Sequence, residues 1–76
     1  MVIYRVYSDF SDAYNQAFKE YDYYLDKDKA LIALEKVIRV EIKSVDEEQI
    51  SKLSEEWIYE IEYVGYYGVG EIEVIE

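Results

Sequence analysis

The sequence contains no cysteine, no histidine and no proline in its 76 residues. Without cysteine there is no disulfide framework, no thiolate nucleophile and no Cys-based zinc site, and without histidine there is no Ser-His or Cys-His pair and no imidazole metal ligand. A chain of this size buries only about 60 % of its unfolded surface, which leaves little room for a deep substrate pocket. We therefore expect one domain over residues 1–76 that binds rather than catalyses, with no catalytic residues, no cofactor and no metal site.

Positive charge is also scarce, because 8 Lys and Arg residues face 18 Asp and Glu residues and the formal net charge is −10. Residues 1–43 hold 8 acids and 7 bases, whereas residues 44–76 hold 10 acids and a single base. Each contact to a phosphate needs a Lys or Arg, so direct binding to nucleic acid or to an anionic membrane is disfavoured. The expected partner is the basic surface of another protein.

Long hydrophobic runs are absent as well. No segment approaches the roughly 20 apolar residues of a membrane span, and the first residues lack the basic and apolar regions of a signal peptide. The chain is nevertheless 51 % hydrophobic and 17 % aromatic, which is typical of folded rather than disordered proteins. We expect a cytoplasmic protein that folds alone or as a small oligomer such as a homodimer.

Periodicity in the first 25 residues predicts two strands and a short helix. Residues 2–7 alternate between two faces and are β-branched or aromatic, which predicts a strand. Capping residues followed by aromatics at helical spacing predict a helix over about 9–18, with Phe10, Tyr14 and Phe18 on one side. Residues 21–25 favour a strand by β-propensity, although a continuation of that helix is the alternative.

The middle of the chain predicts two further helices. An amphipathic helix is expected from about Asp28 to Lys43, with an apolar stripe that includes Leu34 and Ile38. The rival is a switch to a strand at 37–43, where VIRVEIK also alternates at period two; we prefer the helix because no glycine, asparagine or proline marks a stop. The capping-box spacing of DEEQ predicts a second helix over about 46–56.

The last twenty residues predict a hairpin, with strands at 57–64 and 71–76 joined by a glycine-rich loop at 65–70. This loop lacks the Lys and Ser/Thr of a phosphate-binding loop. The fold class expected is α+β: a small antiparallel sheet of three or four strands, one or two helices on one face, and a C-terminal β-hairpin. Leu34, Ile38 and Trp57 are expected in the core.

Eight residues are predicted to bind the partner. Alternation places four glutamates together on one face of the hairpin, opposite Tyr59, Ile61, Ile72 and Val74, where like charges destabilise a sheet. Two tyrosines are expected to project from the hairpin tip. The alternatives are that the acidic face serves only solubility, and that the tyrosines fold back over the sheet edge. The predicted binding residues are Glu55, Glu56, Glu60, Glu62, Glu71, Glu73, Tyr66 and Tyr67.

A further expectation comes from resemblance. The opening MVIYRVY, the helix start DKDKA, the segment LSEEW and the final YVGYYGVGEIEV make this short acidic chain similar to the small accessory proteins of bacteriophages and other mobile elements. The resemblance implies stoichiometric binding to a host or defence protein in the host cytoplasm, as anti-CRISPR and DNA-mimic inhibitors do. The near-neutral first half departs from the most acidic DNA mimics.

Three functions follow from these observations. The first is a non-enzymatic inhibitor that docks a carboxylate-rich face onto a basic nucleic-acid-binding groove. The alternative is a small regulatory or assembly module that uses its tyrosines and an exposed sheet edge. The third is a carboxylate-based enzyme, which is disfavoured because a chain of this size can scarcely enclose a cleft.

Overall fold

A computed structural model describes residues 1–11, 16–62 and 64–75, and these residues form one antiparallel sheet with helices on one of its faces. The sheet order is β2-β1-β4-β3, so the first and last strands of the chain lie side by side at its centre. The predicted α+β class, with a four-stranded sheet and a C-terminal hairpin, is confirmed. The elements are β1 (Val2–Ser11), β2 (Gln16–Tyr24), α1 (Lys27–Glu41), α2 (Glu47–Ser51), α3 (Leu53–Glu56), β3 (Ile58–Ile61) and β4 (Gly65–Glu73).

The predicted helix over 9–18 is wrong. Asp9 pairs with Phe18 and Phe10 with Ala17 across an antiparallel β1–β2 ladder, and positions 12–15 of the prediction lie outside the described residues. The period-two pattern of β1 continues past Tyr7, and pairing along two long strands satisfies more backbone groups than a short isolated helix. The strand predicted over 21–25 is confirmed as the end of β2, which stops at Tyr24.

A β-bulge interrupts the pairing of β1 with β2. Val6 pairs with Asp22 but Tyr7 pairs with Glu20, so Tyr21 is an extra residue on β2. Its hydroxyl lies 3.2 Å from the hydroxyl of Ser8, a buried residue on the helix side of the sheet. The bulge therefore shifts the alternation of β2 by one residue between its two halves.

Helix α1 begins where the sequence supplies a cap. The carboxylate of Asp26 accepts hydrogen bonds from the backbone N–H groups of Asp28 and Lys29, at 2.8 and 3.4 Å. The helix continues to Glu41, so the rival strand at 37–43 is wrong over nearly all of that segment. The buried stripe of this helix is Ala30, Leu31, Leu34 and Ile38.

The predicted helix over 46–56 is present as two short helices, α2 and α3. Asp46 caps α2 through the N–H groups of Glu48 and Gln49, and its own N–H donates to the hydroxyl of Tyr59 at 2.8 Å. Trp57 ends α3 in the left-handed conformation, with φ of 60°. It is partly buried against the core, and its ring meets that of Tyr4 edge-on at 6.1 Å between centroids.

The predicted glycine-rich loop at 65–70 is wrong, because these residues form most of β4. Gly65 pairs with Ile61 of β3 and lies against β1, where an added Cβ would stand 2.2 Å from the carbonyl oxygen of Asp9. Glycine in a strand often marks such a close approach of two backbones. The hairpin itself is confirmed, with its reversal between Ile61 and Gly65.

The core lies between α1 and the sheet. Val6, Leu34 and Ile38 are fully buried, which confirms the two helix positions that were predicted. The remaining buried hydrophobic residues are Ala30, Leu31, Leu53, Tyr59, Tyr67 and Val69.

Candidate functional site

The two faces of the sheet differ in what covers them. One face packs on α1, while on the opposite face, here called the open face, side chains of all four strands are partly or fully exposed. Cross-strand partners in an antiparallel ladder point to the same side, so the register assigns each residue to a face. The open face carries Ile3, Arg5, Tyr7, Asp9, Phe18, Glu20, Tyr23, Ile58, Glu60, Tyr66 and Ile72.

An arginine and two aromatic rings form the centre of this face. The rings of Tyr7 and Phe18 are stacked, with centroids 5.5 Å apart and planes inclined by 25°. The guanidinium carbon of Arg5 lies 5.0 Å from one centroid and 5.1 Å from the other. Nη1 of Arg5 also donates to Glu20 at 3.1 Å, so its charge is neutralised at the sheet surface.

Two tyrosines extend the cluster on either side. The hydroxyl of Tyr23 donates to Oε2 of Glu20 at 2.6 Å, and this hydrogen bond raises the pKa of Tyr23. Tyr66 meets the ring of Tyr7 edge-on at 5.9 Å. Burial raises the pKa of Tyr7, and the neighbouring Tyr66 hydroxyl raises it further. The phenols of Tyr7 and Tyr23 are therefore uncharged hydrogen-bonding groups at neutral pH.

Two glycines of β4 lie next to the ring of Tyr7. A Cβ added at Gly68 would lie 3.2 Å from Cζ and from the hydroxyl oxygen of Tyr7, and one added at Gly70 would lie 3.4 Å from its Cε1. The ring of Tyr7 therefore packs directly against the backbone of β4, closer to the sheet than it could if these positions carried side chains. Phe18 and Tyr23 remain 49 % and 45 % exposed beside it.

The four glutamates predicted to share one hairpin face do not do so. Glu60 pairs with Tyr66 on the open face, whereas Glu71 and Glu73 pair with Tyr4 and Val2 and belong to the helix side. Five β4 positions separate the levels of Glu60 and Glu71, which is about 17 Å along a strand. The prediction failed because 65–70 was taken as a loop, which gave the wrong register.

The remaining predicted carboxylates lie near the β3 edge. Glu62 is in the turn after β3, and Glu55 and Glu56 are exposed on α3. Residues 46–62 hold seven acidic side chains and one basic one, so this edge is strongly negative. Arg39 of α1 binds Glu47 there with two hydrogen bonds, at 2.7 and 2.9 Å, and holds the pKa of that carboxyl below its usual value.

The predicted position of the two tyrosines at a hairpin tip is also wrong. Tyr66 and Tyr67 are neighbours in β4 and point to opposite faces. Tyr67 is 3 % exposed and packs in the core, edge-on to Phe10 at 5.1 Å. Only Tyr66 reaches the open face, as part of the aromatic cluster.

Sequence reasoning missed five members of the open-face cluster, namely Arg5, Tyr7, Phe18, Glu20 and Tyr23. The signal available was the alternation that continues past Tyr7 to Ser11, which predicts a strand of ten residues instead of the six inferred. A partner strand for it would then have been sought in the next polar and aromatic segment.

Both outer strands of the sheet have features that hinder pairing with a strand of another chain. On β2, Tyr21 bulges and the carboxylate of Asp22 accepts the N–H of Tyr23 at 2.8 Å. On β3, the side-chain amide of Gln49 binds the backbone of Glu60. Bulges and side chains that occupy edge groups hinder strand addition, which disfavours the sheet-edge version of the alternative function.

Comparison with protein-family models, with curated proteins and with solved structures gives no match in any of the three. Among the residues described, no helix is long and apolar enough to cross a membrane. The same part of the chain has no group of three or more acidic side chains placed to hold a metal ion. The function is therefore inferred from the geometry of the open face and from the charge around it.

Proposed function

We propose that this protein is a non-enzymatic binding protein whose open face docks onto the basic surface of a partner protein. The observation that carries the proposal is the exposure of Phe18 and Tyr23, beside the stacked Tyr7, on a sheet face that α1 leaves uncovered. Exposed aromatic clusters are enriched at protein interfaces, where they bury much area at a low entropic cost.

The chemistry around the rings favours a partner rich in lysine and arginine. Glu60 lies on the same face, and the charge of Arg5 is already paired with that of Glu20. Aromatic faces next to carboxylates attract cationic side chains through both cation–π and ionic interactions. The acidic β3 edge adjoins this face and increases the rate at which a basic partner arrives.

The biological role proposed is inhibition by occlusion. A basic groove that normally holds nucleic acid presents the charge that this surface complements, and the resemblance to phage accessory proteins implies such a target in the host cytoplasm. Steric and electrostatic blocking requires a stable stoichiometric complex and no chemistry. The regulatory or assembly module remains the second candidate, because the aromatic cluster alone fits it.

The test compares two double variants in capture of a partner from a host-cell extract, followed by kinetics with the purified partner. Phe18→Ser with Tyr23→Ser removes the exposed rings of the open face. Leu25→Ser with Val64→Ser removes two exposed apolar side chains elsewhere and is the matched control. We expect the first variant to lose the partner and the second to retain it. Retention by both would contradict the assigned site.

A salt series separates the two candidate functions. Replacing Glu55, Glu56, Glu60 and Glu62 with Gln should slow association and flatten its dependence on ionic strength if the partner is basic. Association that is insensitive to salt and to these four substitutions, yet lost in the open-face variant, would assign the assembly function instead.

A further inference from the structure

A second surface carries the opposite charge. Three of the eight basic residues form no ion pair and no ring contact within the described parts of the chain. Of the other five, Arg5, Arg39 and Lys52 pair with carboxylates. Lys19 and Lys27 lie over the rings of Tyr21 and Trp57. The three free residues are Lys29, Lys36 and Lys43, at intervals of seven.

Lys29 and Lys36 lie on the same side of α1, because seven residues are close to two helical turns. Apolar residues fill the intervening positions of that side. Ile32 is 58 % exposed, and Val40 is 85 % exposed four residues after Lys36. This stripe of lysine and apolar residues contains no carboxylate, and its first half runs along the flank of α1 beside the end of β2.

The stripe contains a groove of about 270 Å³ between α1 and the end of β2. Its walls are Lys29, Ile32, Ala33 and Lys36, with the ring of Tyr24 at one side. The four helix positions are i, i+3, i+4 and i+7, the set that forms the hole for one knob residue in a coiled coil. The small side chain of Ala33 leaves the floor of that hole open.

We infer that this stripe of α1 docks an acidic amphipathic helix of a partner protein, with one apolar side chain in the hole at Ala33 and carboxylates against Lys29 and Lys36. Charge complementarity selects the partner: the stripe holds uncompensated cations, and the heptad spacing matches carboxylates that recur every two turns of a facing helix. The inference does not depend on the proposed function, since the stripe lies on the helix side of the sheet and the open face on the other side.

The probe is a synthetic peptide with leucine at heptad positions a and d and glutamate at e and g, whose own charge prevents it from pairing with itself at neutral pH. Binding is measured by NMR titration of the labelled protein at about physiological salt, where screening acts beyond about 8 Å. We expect 1:1 binding with shifts centred on residues 29–36. Lys29→Gln with Lys36→Gln should weaken binding about tenfold, as two exposed ion pairs allow.

Two controls make the outcome decisive. Lys19→Gln with Lys52→Gln changes the net charge by the same amount but leaves the stripe intact, so it should bind as the wild type does. Ala33→Leu adds apolar surface yet fills the hole, and it should weaken binding if a knob enters there. Absence of binding, equal loss in both lysine variants, or tighter binding by Ala33→Leu would overturn the inference. Self-association of the protein alone that Ala33→Leu abolishes would assign the stripe to a second copy instead.

Discussion

The hydroxyl of Tyr67 donates a hydrogen bond to Oε1 of Glu41 at 3.1 Å, and so joins β4 to the last residue of α1. A carboxylate at the C-terminus of a helix is unfavourable because the helix dipole is negative there. The buried phenol offsets part of that cost. Burial raises the pKa of Tyr67 far above its ordinary value, and the nearby charge of Glu41 adds a smaller increase.

Tyr67 should make the fold sensitive to alkaline pH. Its contribution to the free energy of unfolding is fully present below about pH 10, which is the pKa of tyrosine in an unfolded chain. The contribution is lost as the pH rises above that value, because the phenol then ionises more readily in the unfolded state than in the folded state. Tyr67→Phe should cost about 1 kcal/mol at pH 8 through the lost hydrogen bond, and this deficit should shrink by pH 11. Urea unfolding at both pH values measures the two differences; a constant deficit would contradict the prediction.

Gln49 should stabilise the β3 edge. Its Nε2 donates to the carbonyl oxygen of Glu60 at 3.0 Å, and its Oε1 accepts the N–H of Glu60 at 2.8 Å, as a neighbouring strand would do. Gln49→Ala should lower the free energy of unfolding by about 1 kcal/mol, and Gln49→Glu by more, because a carboxylate then faces a carbonyl oxygen. Ser54→Ala, on exposed α3, is the control and should leave chemical denaturation unchanged. Equal midpoints for all variants would show that the edge contact is not stabilising.

The three glycines of β4 should tolerate alanine in a graded order. At Gly65 a Cβ would overlap the backbone of β1, so Gly65→Ala should destabilise by about 3 kcal/mol or more. At Gly68 the ring of Tyr7 has to move by a few tenths of an ångström, and a smaller loss is expected. Gly70→Ala makes ordinary contacts and should be nearly neutral. Thermal unfolding of the three variants tests the order, and a severe loss at Gly70 would be the contrary result.

Leu34 and Ile38 should dominate the stability of the core. Both are fully buried between α1 and the sheet, so truncation of either to alanine should cost about 2–5 kcal/mol. Val40→Ala, at an exposed position of the same helix, should cost less than about 0.5 kcal/mol. Denaturant midpoints for the three variants check this. A Leu34→Ala midpoint equal to that of Val40→Ala would contradict the burial of Leu34 in the core.

Local signals predicted the elements that local interactions determine. The cap at Asp26 and the buried stripe of α1 are specified within one helix, and α1 was predicted to within two residues at each end. The β1–β2 ladder depends on pairing between segments, and the capping residues before Phe10 gave a competing helical signal. The glycine-rich segment 65–70 has the composition of a loop. Glycine is required there because β1, which is distant in sequence, packs closely against Gly65 and Gly68.

The site was harder to predict than the fold. An acidic second half is visible in the sequence, and its concentration near β3 follows from chain order. Membership of the open face depends on register, which neither Glu60 nor Glu71 reveals by itself. One misplaced loop was therefore enough to put glutamates together that the sheet holds on opposite sides.

The bulge at Tyr21 has a consequence for how this protein tolerates changes in chain length. Phe18 and Tyr23 are an odd number of residues apart, yet they share a face because Tyr21 takes no place in the ladder. Deletion of Tyr21 would give β2 regular pairing and leave both rings where they are. Deletion of a paired neighbour such as Glu20 would require the bulge to be absorbed, or would turn one ring to the opposite side. A single-residue deletion in β2 can thus preserve the aromatic cluster or divide it, depending on which residue is lost.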